Sequence, residues 1–171
     1  MDILVLNDNK NKVLGYKSGL EFRNHNLLVS NTPEACLKLY HAELQKIFFK
    51  TDLVEHVQPF DVVILDCGYC GAGGMEVAKE ILALNPRQRI VWIVTVEVYE
   101  SIAKSSDEVK SSLEILRKPV TNNRIIDIIE LKEVYLELQK MHVDTDLIKR
   151  ANFRHEQIIS ILKILKSRAA K

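Results

Sequence analysis

The sequence predicts an α/β fold, a doubly wound five-stranded parallel sheet covered by helices on both faces. Two observations predict it. Five short runs rich in leucine and β-branched residues are each bounded by polar or turn residues, as buried strands are. Segments with helical spacing lie between them, and a strand-helix alternation repeated in this way requires crossovers that lay helices on the sheet.

The strand candidates are ILVL (3–6), NLLVS (26–30), DVVIL (61–65), RIVWIV (89–94) and LEILR (113–117). After the second comes an Asn31-Thr32-Pro33-Glu34 helix start, a capping residue ahead of proline in the first turn, with Ala35, Leu39, Ala42 and Leu44 as apolar stripe. This helix is expected to run to about His56. The next, Gly74 to Leu84, sets Met75, Ala78, Ile81 and Leu82 on one face and stops at Asn85-Pro86. Arg124 to Leu138 reads as one long fifth helix with Ile125, Ile128, Ile129, Leu131, Val134, Tyr135 and Leu138 at its apolar positions. Asp144-Thr145-Asp146 reads as a helix start and Asn152 as a stop or second cap. The last helix, about Phe153 to Ala169, carries Ile158, Ile159, Ile161, Leu162, Ile164 and Leu165. That apolar surface is expected to pack on the domain, on a second copy of the chain or on a partner. Residues 1–130 are thus expected to form the α/β domain and residues 131–171 a helical C-terminal extension.

Composition bounds the function. With 171 residues, 47% hydrophobic and 27% charged, the chain has material for one domain of about 100–150 residues plus an extension, and it does not read as disordered. No apolar run approaches the roughly 20 residues needed to span a bilayer, and MDILVLND carries an acid where a signal peptide needs basic residues. A cytoplasmic location is expected. The three cysteines, Cys36, Cys67 and Cys70, are too few for a disulfide framework. A net charge of +1 conceals a basic tail: from Leu147 onward Lys149, Arg150, Arg154, Lys163, Lys166, Arg168 and Lys171 face only Glu156. The simplest account is a solvated helix face, and neither membrane nor nucleic-acid binding is expected. Trp92 and Tyr69 have no aromatic companions spaced for base stacking, and His142 and His155 lack a third metal ligand.

In open parallel sheets, ligands sit beyond the carboxyl ends of the strands. That rule selects Asn7-Asp8, Asp66, Thr95 and Lys118-Pro119, the residues that follow the first, third, fourth and fifth strand candidates. Two acids, a hydroxyl and a lysine would then converge on one patch.

Asn7-Asp8 after ILVL, Asp66 after VVIL with Gly74 eight residues later, Thr95 after WIV and Lys118-Pro119 after ILR resemble the receiver (CheY-like phosphoacceptor) domain of response regulators. The resemblance covers about residues 1–130. It implies a flavodoxin-like sheet of order 2-1-3-4-5 and a non-enzymatic role in two-component signal transduction. Asp66 would accept a phosphoryl group from a histidine kinase or phosphotransfer protein, and the resulting aspartyl phosphate would signal by binding a downstream protein target. A homodimer is a further partner in this reading. The tail, through VDTD-LIK and HEQI, is similar to extensions on archaeal-type stand-alone receivers.

The chemistry such a role demands matches the residue types. A carboxylate attacks phosphorus only when the charge on the equatorial oxygens is neutralised and the group is held in line, which calls for a divalent cation and a fixed ammonium. The resemblance implies Mg²⁺ held by Asp8, Asp66 and the Gly68 carbonyl, with Asn7 orienting a metal-bound water. Lys118 would supply the ammonium and Thr95 a hydrogen bond to the phosphate. Lys118-Pro119 resembles the family's cis bond.

Departures from the pattern weigh against efficient phosphorylation. Asn7 stands where a second acid is common and removes one charge from the metal site. Val96 stands where a small residue is usual, and its branched side chain would crowd a phosphodonor. Ile115 replaces the aromatic switch residue, and Cys70 and Gly73 replace a proline and an acid in the loop after Asp66. These changes favour an alternative, a phosphorylation-impaired receiver-like interaction scaffold. Cys67 and Cys70 also make a C-x-x-C pair. Redox cysteines of that kind sit at a helix N-terminus, whereas the helix here is expected only at Gly74, so Asp66 is the expected working residue and a redox-sensitive loop a lesser alternative.

Overall fold

The computed structural model describes residues 1–48, 58–66, 71–104, 112–151, 153 and 155–169. Its strands are β1 (Asp2–Leu6), β2 (Asn26–Ser30), β3 (Val62–Leu65), β4 (Ile90–Val94) and β5 (Leu113–Arg117). The helices are α1 (Lys10–Phe22), α2 (Pro33–Phe48), α3 (Gly71–Leu84), α4 (Val96–Lys104), α5 (Asn122–Ile129), α6 (Lys132–Lys140), α7 (Thr145–Arg150) and α8 (His155–Ala169). All five strands pair in parallel in the order β2-β1-β3-β4-β5. The α/β class, the strand positions and the strand order are therefore those expected.

Alternation of side chains across the strands sorts the core. Leu4, Leu6, Val63, Leu65 and Trp92 meet Cys36 and Tyr40 of α2, Val77, Ala78 and Ile81 of α3, and Ile102 of α4 in one cluster. The intervening Ile3, Val5 and Ile64 are also buried, as are Tyr16 and Leu20 of α1, which packs along β2. Strands β3 and β4 are buried at every residue, the mark of central strands covered on both faces, whereas edge strand β2 leaves Leu28 and Val29 exposed. Asn24, with φ of 61°, turns the chain from α1 into β2, and asparagine tolerates this left-handed conformation better than most residues.

The chain divides by its contacts into two compact units, Met1–Asn122 and Asn123–Lys171. In the second unit Leu138, Ile148 and Ile158 form a core of their own, with Tyr135, Ile161, Leu162 and Leu165 packed around it. The apolar face of α8 is thus covered within the chain by α6 and α7, although Ile164 remains exposed. Asp144 caps α7 by accepting hydrogen bonds from the N–H groups of Asp146 and Leu147, at 3.0 and 3.1 Å.

Two helix boundaries differ from expectation. Helix α3 begins at Gly71, three residues earlier than the Gly74 start, because glycines there are compatible with the first turn of a helix. The long fifth helix is two helices. Leu131, at φ 56° and ψ 31°, interrupts the hydrogen-bond ladder between α5 and α6 and packs against the core of the second unit. Packing there overrides a helical pattern that continues unbroken through the sequence. Helix α2 is described to Phe48, and its expected end at His56 lies outside the described residues, as does Asn152. No helix among the described residues is long and apolar enough to cross a membrane.

Candidate functional site

The sheet ladder fixes the residues that follow the strands. Each of three strands continues its parallel pairing by one backbone bond: Asn7 N–H to the Ser30 carbonyl (2.9 Å), Asp66 N–H to Leu6 (2.8 Å) and Lys118 N–H to Val94 (2.8 Å). Asn7, Asp66 and Lys118 are held at the carboxyl ends of β1, β3 and β5 as part of the rigid sheet.

Their side chains meet. The Asp66 carboxylate is only 5% exposed, and the Lys118 ammonium lies 2.6 Å from its Oδ1. The approach is off-axis, so Oδ1 has no directed hydrogen bond although it is buried. The contact is therefore electrostatic, since Coulomb attraction depends on distance while a hydrogen bond also needs alignment. On the other oxygen, Oδ2, Asn7 donates from Nδ2 at 2.9 Å. The Lys118-Pro119 bond is cis, as expected.

Asn7 is itself enclosed. It is 1% exposed, its Oδ1 accepts the N–H of Asn9 at 2.7 Å, and its Nδ2 also reaches the Tyr16 hydroxyl at 3.4 Å. A carboxylate on one side and an N–H on the other fix the orientation of the amide. Burial pushes the Tyr16 phenol well above its usual pKa. The hydrogen bond from Asn7 acts against that shift, and the charge of Asp66 adds to it. Tyr16 is consequently neutral at physiological pH.

Asp8 and Thr95 follow β1 and β4. Asp8 is exposed. Thr95 precedes α4 as its N-cap, its Oγ1 accepting weakly from Val98 N–H at 3.5 Å. The Glu97 carboxyl is held below the ordinary range first by its own backbone N–H and then by Thr95. Val96 is exposed beside it, and Ile115 packs partly buried against the main core. Gly68, Tyr69, Cys67 and Cys70 lie outside the described residues.

For Mg²⁺ the described residues supply the carboxylates of Asp66 and Asp8, hard oxygens of the kind this cation prefers. Asp66 Oδ2 takes one donor, from Asn7, and keeps acceptor capacity that a cation would use, so the donor set fits. It is sparse, however: among the described residues no group of three or more His, Cys, Asp or Glu gathers.

Tyr16 and Glu97 are absent from the sequence-based set. Glu97 carries a readable signal, an acid in the first turn of a helix after a threonine cap. Tyr16 carries none, because its relation to Asn7 depends on which face α1 turns to the sheet.

No protein-family model matches the chain, and no curated protein matches it. Solved structures do. A response regulator receiver domain protein from Clostridium thermocellum aligns with a TM-score of 0.57 at 22% identity, over 75% of this chain and 90% of that one. A CheY-like receiver domain protein from Methanospirillum hungatei JF-1 aligns at 0.54 and 16%, over 77% and 91%. The chain has the receiver fold. A third similar structure, adenylate cyclase from Rhodopirellula baltica, aligns at 0.56 and 17% over 86% and 96%, so the same fold occurs under a different description. In receiver terms, the contact set of Asn7, Asp66 and Lys118 lies at the carboxyl edge of the sheet, with Thr95 at the end of the intervening strand β4.

Proposed function

We propose that the chain is a response regulator receiver in which Asp66 accepts a phosphoryl group from the phosphohistidine of a kinase or phosphotransfer protein, and whose phosphorylated form binds a downstream protein. The observation that carries this reading is the Lys118 ammonium 2.6 Å from the buried Asp66 Oδ1. A nucleophilic carboxylate needs a fixed cation beside it to offset the charge of the incoming group. In the transfer, the donor's P–N bond breaks as an Asp66 oxygen bonds to phosphorus. The imidazole nitrogen keeps the electron pair and takes up a proton. Lys118 holds the equatorial oxygens, and Thr95 donates a hydrogen bond to them. Asp8 and Asp66 would hold Mg²⁺, which supplies further neutralisation of phosphoryl charge.

Incubating the protein with acetyl phosphate and Mg²⁺ and measuring intact mass tests this. The expected result is one phosphoryl group per chain, lost in Asp66→Asn. A chain that gains nothing, or an Asp66→Asn variant that gains as much, overturns the assignment.

The engagement of Asp66 Oδ2 by Asn7 favours a second reading, a receiver-fold scaffold that binds partners without phosphorylation. The same measurement separates the two, because a scaffold keeps its unmodified mass under all donor conditions.

A further inference from the structure

We propose that Tyr16 and Asn7 form a positioning unit that performs at Asp66 Oδ2 the task a divalent cation would otherwise perform. Oδ1 is then the oxygen offered to the phosphoryl group, and the chain's response to Mg²⁺ is small. The proposal rests on the reading of Asp66 as phosphoacceptor.

Asn7 presents an N–H, not an oxygen, to Asp66. A cation acting on Oδ2 would neutralise it and fix its orientation; the Nδ2 donor at 2.9 Å already orients it and supplies partial positive charge. The amide cannot turn over freely. Turning it would remove the acceptor used by Asn9 N–H and set an oxygen against the carboxylate. In a site where Asn7 is 1% exposed, such losses are not made good by water.

Engagement of Oδ2 also divides the labour between the two carboxylate oxygens. Oδ2 is held by a directed bond, while Oδ1 has only the electrostatic contact with Lys118 and keeps its lone pairs unaligned with any donor. Oδ1 is thus the oxygen already beside the ammonium that the phosphoryl oxygens need. Tyr16 does not touch the reacting atoms. Its role is to hold the second amide proton of Asn7 and so keep the first on Oδ2.

Replacing Asn7 by aspartate reverses this arrangement. It sets a second carboxylate against Asp66, a like-charge contact at short range that a divalent cation relieves. The variant should therefore depend on Mg²⁺ in ways the natural chain does not.

Two measurements test the proposal on the full chain, wild type, Asn7→Asp and Tyr16→Phe. In the first, melting temperature is followed during Mg²⁺ titration with no phosphodonor. Wild type is expected to shift by less than about 1 °C, Asn7→Asp to rise by several degrees, and Tyr16→Phe to fall between them. In the second, the rate of modification by acetyl phosphate is compared with and without chelator. Wild type is expected to change less than roughly tenfold, the scale of one hydrogen bond, and Asn7→Asp by at least roughly a hundredfold. A wild type that responds to Mg²⁺ as strongly as Asn7→Asp overturns the proposal. So does a Tyr16→Phe variant identical to wild type in both measurements, which would make Tyr16 a core residue only. The melting series needs no phosphorylation, so a chain that takes no phosphoryl group refutes the phosphoacceptor reading while the titration still decides the role of Asn7 and Tyr16.

Discussion

Lys118 and Asp66, 52 positions apart in the chain, form an ion pair of 2.6 Å in which the carboxylate side chain is 6% exposed and the lysine 22%. A buried charge without its partner is costly, whereas removing both partners is much less so. Lys118→Ala should therefore destabilise the chain by roughly 1–3 kcal/mol, below the full cost of breaking a buried pair because Lys118 retains some solvent. Asp66→Asn combined with Lys118→Ala should recover most of that loss. Urea unfolding of the four members of this cycle checks it, and strictly additive losses would show that the pair is not coupled.

Gly74 and Gly15 should respond in opposite ways to alanine. A Cβ at Gly74 would lie 2.8 Å from Nε1 of Trp92, a side chain 2% exposed and unable to move aside. A Cβ at Gly15 would meet the side-chain amide of Asn122, which is exposed and can swing away. Alanine gains about 1 kcal/mol over glycine in a helix, while overpacking costs about 1–3 kcal/mol. Gly74→Ala is expected to lower thermal stability and Gly15→Ala to leave it unchanged or raise it.

Alkaline pH should destabilise the fold through its buried neutral groups. Burial lifts the Cys36 thiol from 9.0 to about 11 and the Tyr40 phenol from 10.0 to about 12. Both groups are neutral in the folded chain and ionise earlier when unfolded, so the stability they contribute is complete below pH 9 and is lost as pH rises through 11. Denaturant midpoints measured from pH 8 to 11 should fall across that window. Cys36→Ala should flatten the first part of the fall, and in the native chain Cys36 should resist thiol reagents at neutral pH.

The second unit should fail as a unit. Ile158 is 3% exposed and meets Leu138 and Ile148 in a core made by three short helices. Ile158→Ala is expected to cost about 2–4 kcal/mol, enough to loosen α6, α7 and α8 together. Truncation after Asp144 removes α7 and α8 and uncovers Leu138, so it should lower helicity by more than the deleted residues account for and promote aggregation. A truncated chain with unchanged solubility and melting would show that the small core contributes little.

What the sequence made legible was whatever depends on local pattern. Runs such as VVIL and IVWIV have to be buried strands, and strand-helix alternation then leaves few topologies. The positions of Asn7, Asp66 and Lys118 followed from the rule that sites lie beyond strand ends. The direction of the Asn7 amide did not follow, because it is set by Asp66 and Asn9 through contacts that no spacing reveals. Thr95 was legible as a strand-end hydroxyl but not as the cap of α4. The break at Leu131 was hidden for a related reason: a leucine continues a helical stripe and equally well fills a separate core.

The packing of Trp92 against Gly74 gives the protein an internal optical reporter. Trp92 is the chain's one tryptophan, and its indole nitrogen faces the first turn of α3, the helix that begins five residues after Asp66. Indole emission responds to small changes in the dipoles and packing around the ring. Any rearrangement that occupation of Asp66 imposes on the start of α3 should therefore alter the fluorescence of the unlabelled protein, and binding of phosphoryl analogues could be followed in real time without a dye.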